Sequence, residues 1–245
     1  VETLIGLKKL TAAAMMNSDT LIVDTSGLID GDCGRLLKQG KIDMLNPDLV
    51  VLLQKENECE HLVKNLHGHR IFRAGLSNYT EIRTADARRL NRKNNILKYF
   101  ANSQSVKLSL KKIKLNRCFL TSGIPIKPPE NLSHLIAYME KLSPQEGSLI
   151  VLKKQVEPEK IKELKKQFGA LKIMVAGQES NIYVGLANEN NECIGVGIIE
   201  KIDFIRDNIY ILTNVDAQLI KTVSIGSIRL TSDGEELGYI EPGLI

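Results

Sequence analysis

The spacing of its uninterrupted apolar runs constrains this chain more than any other feature. Residues 20–24 (TLIVD) and 48–53 (DLVVLL) are short and continuously apolar, the signature of strands covered on both faces of a sheet. Between them lie a turn over residues 26–34, with glycines at 27, 31 and 34, and a helix-like segment over 36–45. Leu4, Ile5, Leu7, Leu10, Ala13 and Ala14 recur at roughly helical spacing before the first run. A third helix is expected over 56–66 and a third strand over 70–73. Strands separated by helices of this length pair in parallel through crossover connections. Residues 1–104 are therefore expected to form part of a parallel α/β sheet with helices.

The pattern changes after residues 84–100, the most basic helical segment. Short alternating stretches over 105–126 end in a Pro-rich stretch, 124–130, that reads as a domain junction. Helices are predicted over 131–141 and 157–168. Strands are predicted over 171–175, 182–186, 193–202, 208–212, 220–223 and 227–231, with Gly, Asn or Asp between them. Residues 105–245 are thus expected to be a β-rich (α+β) C-terminal domain.

With 43% apolar and 25% charged residues, the chain falls in the ordinary globular class, and no run approaches the length of a membrane span. Its four cysteines form no CxxC pair, which predicts reduced thiols in a cytoplasmic protein, or a nuclear one in a eukaryote. Val1 opens directly into a helix-like stretch carrying Lys8 and Lys9 rather than a secretory leader, so the chain is expected to be the C-terminal part of a longer polypeptide. The net charge of +4 is too small to indicate nucleic-acid binding by itself.

The sharpest local motif is LIVDTSGLIDG, residues 21–31. A strand ending in Asp24-Thr25 with Gly27 close behind puts a carboxylate at the carboxyl edge of a parallel sheet, where open α/β folds bind ligands. There Asp24 can order an attacking group, and Gly27 lets backbone approach a phosphate. The same turn also reads as an ordinary helix N-cap. A second motif gathers Arg83, Arg88, Arg89 and Arg92; Arg88 and Arg92 lie one helical turn apart. Convergent guanidiniums suit the equatorial oxygens of a transferring phosphoryl group, although a solvated basic face has the same composition. No GxxxxGK[ST] loop occurs, so the chain alone should bind ATP poorly. His67 and His69, with Cys59 nearby, lack a fourth metal ligand at suitable spacing and read as a polar loop, so no metal site is predicted. With 4% aromatics an extended base-stacking platform is not expected; Tyr79, Tyr99 and Phe100 are single candidates, the last two more suited to core packing.

These residues resemble a known family. LIVDTSGLIDGDCGRLLKQGKIDMLNPDLVVLLQKE is similar to the segment of polynucleotide 5′-hydroxyl kinases that runs Asp/Asn-Thr-x-Gly-Trp-Val-x-Gly-x-Gly, then helix, then apolar strand. IRTADARRLNRKNNILKYF resembles that family's lid, and the tail from YVGLANENNECIGVGIIEK to GSIRL resembles its C-terminal β domain. The kin are archaeal RNA kinases, the kinase subunit of the eukaryotic pre-mRNA cleavage and tRNA-splicing machinery, and ribosomal-RNA-processing kinases. The resemblance implies a partial P-loop-type sheet and transfer of the ATP γ-phosphate to the 5′-hydroxyl of RNA, and sometimes DNA, with Mg²⁺. It implies catalytic roles for Arg83, Arg88 and Asp24, and phosphate contacts from Thr25, Gly27, Arg89 and Arg92. ATP and Mg²⁺ would be held mainly by the family's N-terminal segment, which these residues do not include. Partners would be RNA 5′ ends and subunits of an RNA-processing complex. Leu28 departs from the family, standing where many relatives carry a base-stacking Trp. The rival expectation is a scaffold subunit that binds RNA or protein without turnover. A GTPase is disfavoured because Gln54-Lys55 does not continue as Asn-Lys-x-Asp.

Overall fold

The helical period of the first residues becomes α1, Glu2–Met15, and the second helix-like segment becomes α2, Gly31–Leu45, in a computed structural model that describes residues 2–77, 79–80 and 84–241. Helix α2 stops at Asn46, which takes a left-handed conformation (φ 43°) and donates its N–H to the Ile42 carbonyl; Pro47 follows. The second apolar run forms β1, Leu49–Gln54. A short α3, Glu60–Val63, leads to β2, Arg70–Gly75, which pairs with β1 in parallel from Leu49↔Arg70 to Gln54↔Gly75. Alternation along β1 sends Leu52 and Gln54 inward, and Leu52, Cys59, Leu62 and Val63 form a small core with Ile29, Val50, Leu66 and Ile71. These elements lie in one compact unit, Val1–Ile82.

Residues 20–24 are the exception to the expected alternation. They carry no strand among the described residues, and Ile22 is 90% exposed. A continuously apolar strand is held by neighbours on both sides, whereas among the described residues β1 and β2 pair only with each other.

The second unit, Arg83–Ile245, begins with α4, Ala85–Phe100. Strands β3 (Gln104–Ser109), β4 (Lys114–Asn116) and β5 (Ile124–Pro125) follow, then a 3₁₀ turn at Glu130–Leu132. Next come β6 (Ile136–Lys141), β7 (Ser148–Leu152), α5 (Pro158–Phe168) and β8 (Leu171–Val175). The chain closes with β9 (Ile182–Ala187), β10 (Cys193–Asp203), β11 (Asn208–Thr213), β12 (Thr222–Leu230) and β13 (Glu236–Tyr239). One sheet runs β13-β12-β9-β10-β11-β3 with antiparallel pairing throughout; β4 adds to β12 in parallel. A second sheet runs β5-β6-β7-β8, in which β7 and β8 are parallel and joined through α5.

Residues 131–141 were expected to be helical and instead form the 3₁₀ turn and β6. The reason is a bulge between Ile136 and Tyr138, which breaks strict alternation and buries Ile136, Met139 and Glu140. Burial at i, i+3 and i+4 imitates a helix, so the pattern alone misleads. The two strands expected over 220–223 and 227–231 are one strand, β12.

The second unit is layered. Val184, Leu186, Ile199, Ile209 and Ile211 of the larger sheet share one buried cluster with Leu149, Val151 and Met174 of the smaller. Ile136, Met139, Ile150 and Leu152, on the other face of the smaller sheet, pack with Leu164 of α5. Phe100 of α4 packs on Ile198 and Leu230 of the larger sheet. All four cysteines are free thiols. Among the described residues, no helix is long and apolar enough to cross a membrane.

Candidate functional site

The loop from Asp24 to Asp30 is held from behind by α2 and by the segment around α3. Gly31, with φ 68°, lets the chain turn into α2. Gly34 then sits against the loop; a Cβ there would lie 2.8 Å from the Ile29 carbonyl carbon, so only glycine permits the approach. One turn further on, Lys38 is buried, 9% exposed, and its Nζ donates to Thr25 Oγ1 at 2.6 Å and to the Ser26 carbonyl oxygen. His61 Nε2 lies 2.9 Å from the Ile29 carbonyl oxygen. The expected site residues Asp24, Thr25 and Gly27 are exposed on this braced loop. A Cβ at Gly27 would meet nothing within 4 Å, so the surrounding fold does not require glycine there.

The electrostatics centre on Lys38. Burial, and secondarily the neighbouring Lys41, lower its affinity for a proton below that of an ordinary lysine; Cys59 and Asp24 act in the opposite direction. Among the described residues Lys38 makes no ion pair with a carboxylate.

At the carboxyl ends of β1 and β2 there is an open cleft of about 630 Å³, lined by Gln54, Glu56, Asn57, Glu60, Arg73 and Gly75. Its polar walls satisfy one another. Arg73 grips Glu60 through two bonds of 2.7 and 2.9 Å, and Gln54 donates to Glu60 at 2.8 Å while accepting from Cys59 N–H. The Arg73 bonds, followed by the Gln54 bond, hold the Glu60 carboxyl down at about 2.

The arginine motif lies on α4, in the second unit. Thr84 caps this helix by accepting from Ala87 N–H at 3.1 Å, and Arg88, Arg89 and Arg92 are exposed on its first turns. Arg92 pairs with Glu236 at 3.1 Å, so part of its charge is already balanced. Arg88 and Arg89 make no ion pair among the described residues. Arg83 lies outside the described residues. The far end of α4 is fixed: Val196 N–H donates to the Tyr99 hydroxyl at 3.1 Å, and Phe100 is buried. Tyr79 is 94% exposed.

Sequence reasoning missed Lys38 and His61. The signal for the lysine was legible: Gly34, Lys38 and Lys41 recur at i, i+4 and i+7, one helical face, and all three are buried while Leu36 is 67% exposed. Among the described residues no group of three or more His, Cys, Asp or Glu stands together.

Comparison with known proteins extends these observations. A family model described as the mRNA cleavage and polyadenylation factor CLP1 P-loop matches residues 2–102. The chain is 30% identical over 256 residues to a polyribonucleotide 5′-hydroxyl-kinase of Pyrococcus abyssi, covering 98% of this chain and 68% of that protein. It is 30% identical over 249 residues to the Pyrococcus horikoshii enzyme of the same name, covering 66% of it. The match to that of Methanocaldococcus jannaschii is 28% over 249 residues, covering 67%. Among solved structures, Clp1p in complex with Pcf11p superposes with a TM-score of 0.51 at 12% identity, over 93% of this chain and 51% of that one. The chain thus spans about two thirds of the length of the archaeal proteins and about half of the solved Clp1p chain.

Proposed function

The chain belongs to the polyribonucleotide 5′-hydroxyl-kinase family, and from that premise we propose that it serves a kinase transferring the ATP γ-phosphate to the 5′-hydroxyl of RNA, with DNA as a further acceptor. The observation that carries this reading is similarity along 98% of the chain to proteins named for that reaction. In the transfer, the RNA 5′ oxygen gives up its proton to a general base and bonds to the γ-phosphorus as the bond to the β-phosphate bridging oxygen breaks and ADP leaves. Charge builds on the three equatorial oxygens, and the catalytic work is positioning and electrostatic stabilisation.

Each site residue has a role in that scheme. Arg88, an exposed guanidinium on a capped helix with no ion pair among the described residues, stabilises the transferring group together with Arg83. Arg89 and Arg92 add phosphate contacts, Arg92 the weaker because of Glu236. Asp24 orders the attacking hydroxyl. Thr25 donates to a phosphate oxygen, and the open space at Gly27 admits one. Mg²⁺ would neutralise charge between the β- and γ-phosphates, and by the family resemblance the Walker segment of these kinases would hold it with the triphosphate. Residues 1–104 act as the C-terminal part of the P-loop kinase domain with α4 as its lid, supported by the family match to residues 2–102. Residues 105–245 form the C-terminal β-rich domain.

Leu28, 48% exposed at the position of the relatives' stacking Trp, favours one second reading: a scaffold that holds RNA or subunits of an RNA-processing complex without turnover. One assay separates the two: transfer of labelled γ-phosphate to a 5′-hydroxyl RNA by the natural full-length polypeptide and its Arg83→Ala and Arg88→Ala variants. The kinase reading expects transfer by the wild type and a loss of roughly 10³-fold or more in kcat in each variant, by analogy with arginine fingers. Losses under tenfold in both would remove the arginines from the mechanism. A folded full-length protein that binds RNA and transfers nothing would be the scaffold.

A further inference from the structure

The geometry points to Lys38 as the positioning residue that makes the Thr25 hydroxyl a hydrogen-bond donor to a phosphate oxygen at the Asp24–Gly27 turn, an inference that rests on the kinase reading. An ammonium group has three donors and no acceptor. With Nζ 2.6 Å from Thr25 Oγ1, the threonine oxygen must accept, and its own proton is left to point elsewhere. Among the described residues that proton meets no second partner, and Thr25 is exposed. A cation on the oxygen lone pair also polarises the O–H bond and strengthens its donation to an anion. The same ammonium engages the Ser26 carbonyl oxygen, a group that would otherwise repel a phosphate beside it.

The burial of this lysine needs explaining. Lysine is almost never fully buried without a partner ion, and Lys38 has none among the described residues, while Leu36 on the same helix is exposed. A core-facing leucine at 38 would pack more favourably and would leave the turn unbraced. Titratable groups facing the ammonium are Lys41 on α2, Cys59 ahead of α3 and Asp24 on the loop; burial, with Lys41 in the same direction, outweighs Cys59 and Asp24 in lowering its proton affinity. On losing its proton, the neutral amine keeps two donors but gains a lone pair, so Thr25 is no longer obliged to present its proton outward and the outward donor loses its cationic assistance. Phosphate handling should therefore fall on the alkaline side at a pH below the usual lysine range.

A double-mutant cycle on the full-length polypeptide tests this, with wild type, Lys38→Met, Thr25→Val and the combined variant. Two readouts are taken: kcat/KM for phosphate transfer to a 5′-hydroxyl RNA against pH, and affinity for the 5′-phosphorylated oligonucleotide. The expected result is a loss of roughly tenfold to a hundredfold for each single variant, the scale of a charge-assisted hydrogen bond. The double should be no worse than the more damaged single, and the alkaline limb should vanish in all three. Multiplying losses in the double, or an undiminished Lys38→Met protein, would overturn the proposal. If Lys38→Met fails to fold, the exposed Thr25→Val variant decides alone, since an alkaline limb that persists in it refutes the link. If wild type transfers no phosphate, the kinase reading falls, and the cycle read on oligonucleotide affinity still judges Lys38: an unchanged affinity in Thr25→Val and Lys38→Met would overturn it.

Discussion

Glu140 shows how much of the second unit depends on single polar groups. Its side chain is completely buried, with 0% exposure, and accepts from the backbone N–H of Thr121 at 2.7 Å and of Gly123 at 2.8 Å. The Tyr138 hydroxyl also hydrogen-bonds to it; burial, and secondarily this carboxylate, push the tyrosine proton well above its usual range. The turn so clamped is tight: Thr121 has φ 66°, and a Cβ on Gly123 would lie 2.5 Å from the Lys141 carbonyl oxygen. Replacing Glu140 with Ala strands two backbone donors, at about 1–3 kcal/mol each. Glu140→Gln keeps the shape but sets an NH₂ group against one of those donors, so it should also destabilise, by about 2 kcal/mol. Urea unfolding of both variants checks this, and a Gln variant as stable as wild type would show that the clamp is not needed. Nothing in the sequence marked Glu140, because a glutamate in an apolar segment has the same local pattern whether its carboxylate points to water or to a turn brought in by tertiary structure. Lys38 differs, since its spacing from Gly34 and Lys41 is visible in the sequence, although nothing there shows that this face rather than the one carrying Leu36 turns inward.

Between elements, the Glu60–Arg73 pair ties α3 to β2, with Gln54 of β1 joining the same carboxylate. Glu60 is held at about 2, below the ordinary carboxylate value near 4.5. A depressed acid contributes stability that is present above its unfolded value and lost as pH falls through the folded one. The first unit should therefore soften on acidification from about pH 4.5 towards pH 2. In Glu60→Gln that softening should be shallower and the neutral-pH melting temperature lower. Thermal melts followed across this pH range on a probe in the first unit decide it, and a parallel acid response in both proteins would assign the effect to other carboxylates. At this scale the sequence was most legible where a helix or strand carries its own signal. Thr84 announced the start of α4, and an uninterrupted apolar run announced β1. It was least legible where pairing partners decide the outcome, as in residues 20–24 and in β6.

Over the whole molecule, the change of pattern near residue 105 and the division of contacts after Ile82 mark different things. The first records where the composition turns to short alternating strands. The second records that α4, although matched with the P-loop segment by the family model, buries Phe100 against Ile198 and Leu230 and hydrogen-bonds through Tyr99 to Val196. The sequence marked Tyr99 and Phe100 as packing residues but not the sheet they meet, because α4 is otherwise largely polar, with Phe100 its one buried side chain. The consequence is that α4 is anchored at its C-terminal end, while Arg88 and Arg89 sit exposed on its first turns and Arg92 is tied to Glu236. A polypeptide of residues 84–245, with its own continuous core and α4 in place, should fold alone and unfold in one cooperative transition. Phe100→Ala in that polypeptide should cost about 3–5 kcal/mol, as for other buried aromatic truncations. Calorimetry and urea titration supply both numbers. A cost below about 1 kcal/mol would mean that Phe100 contributes little to packing, and α4 would then have to be regarded as attached to the sheet only through its hydrogen bonds.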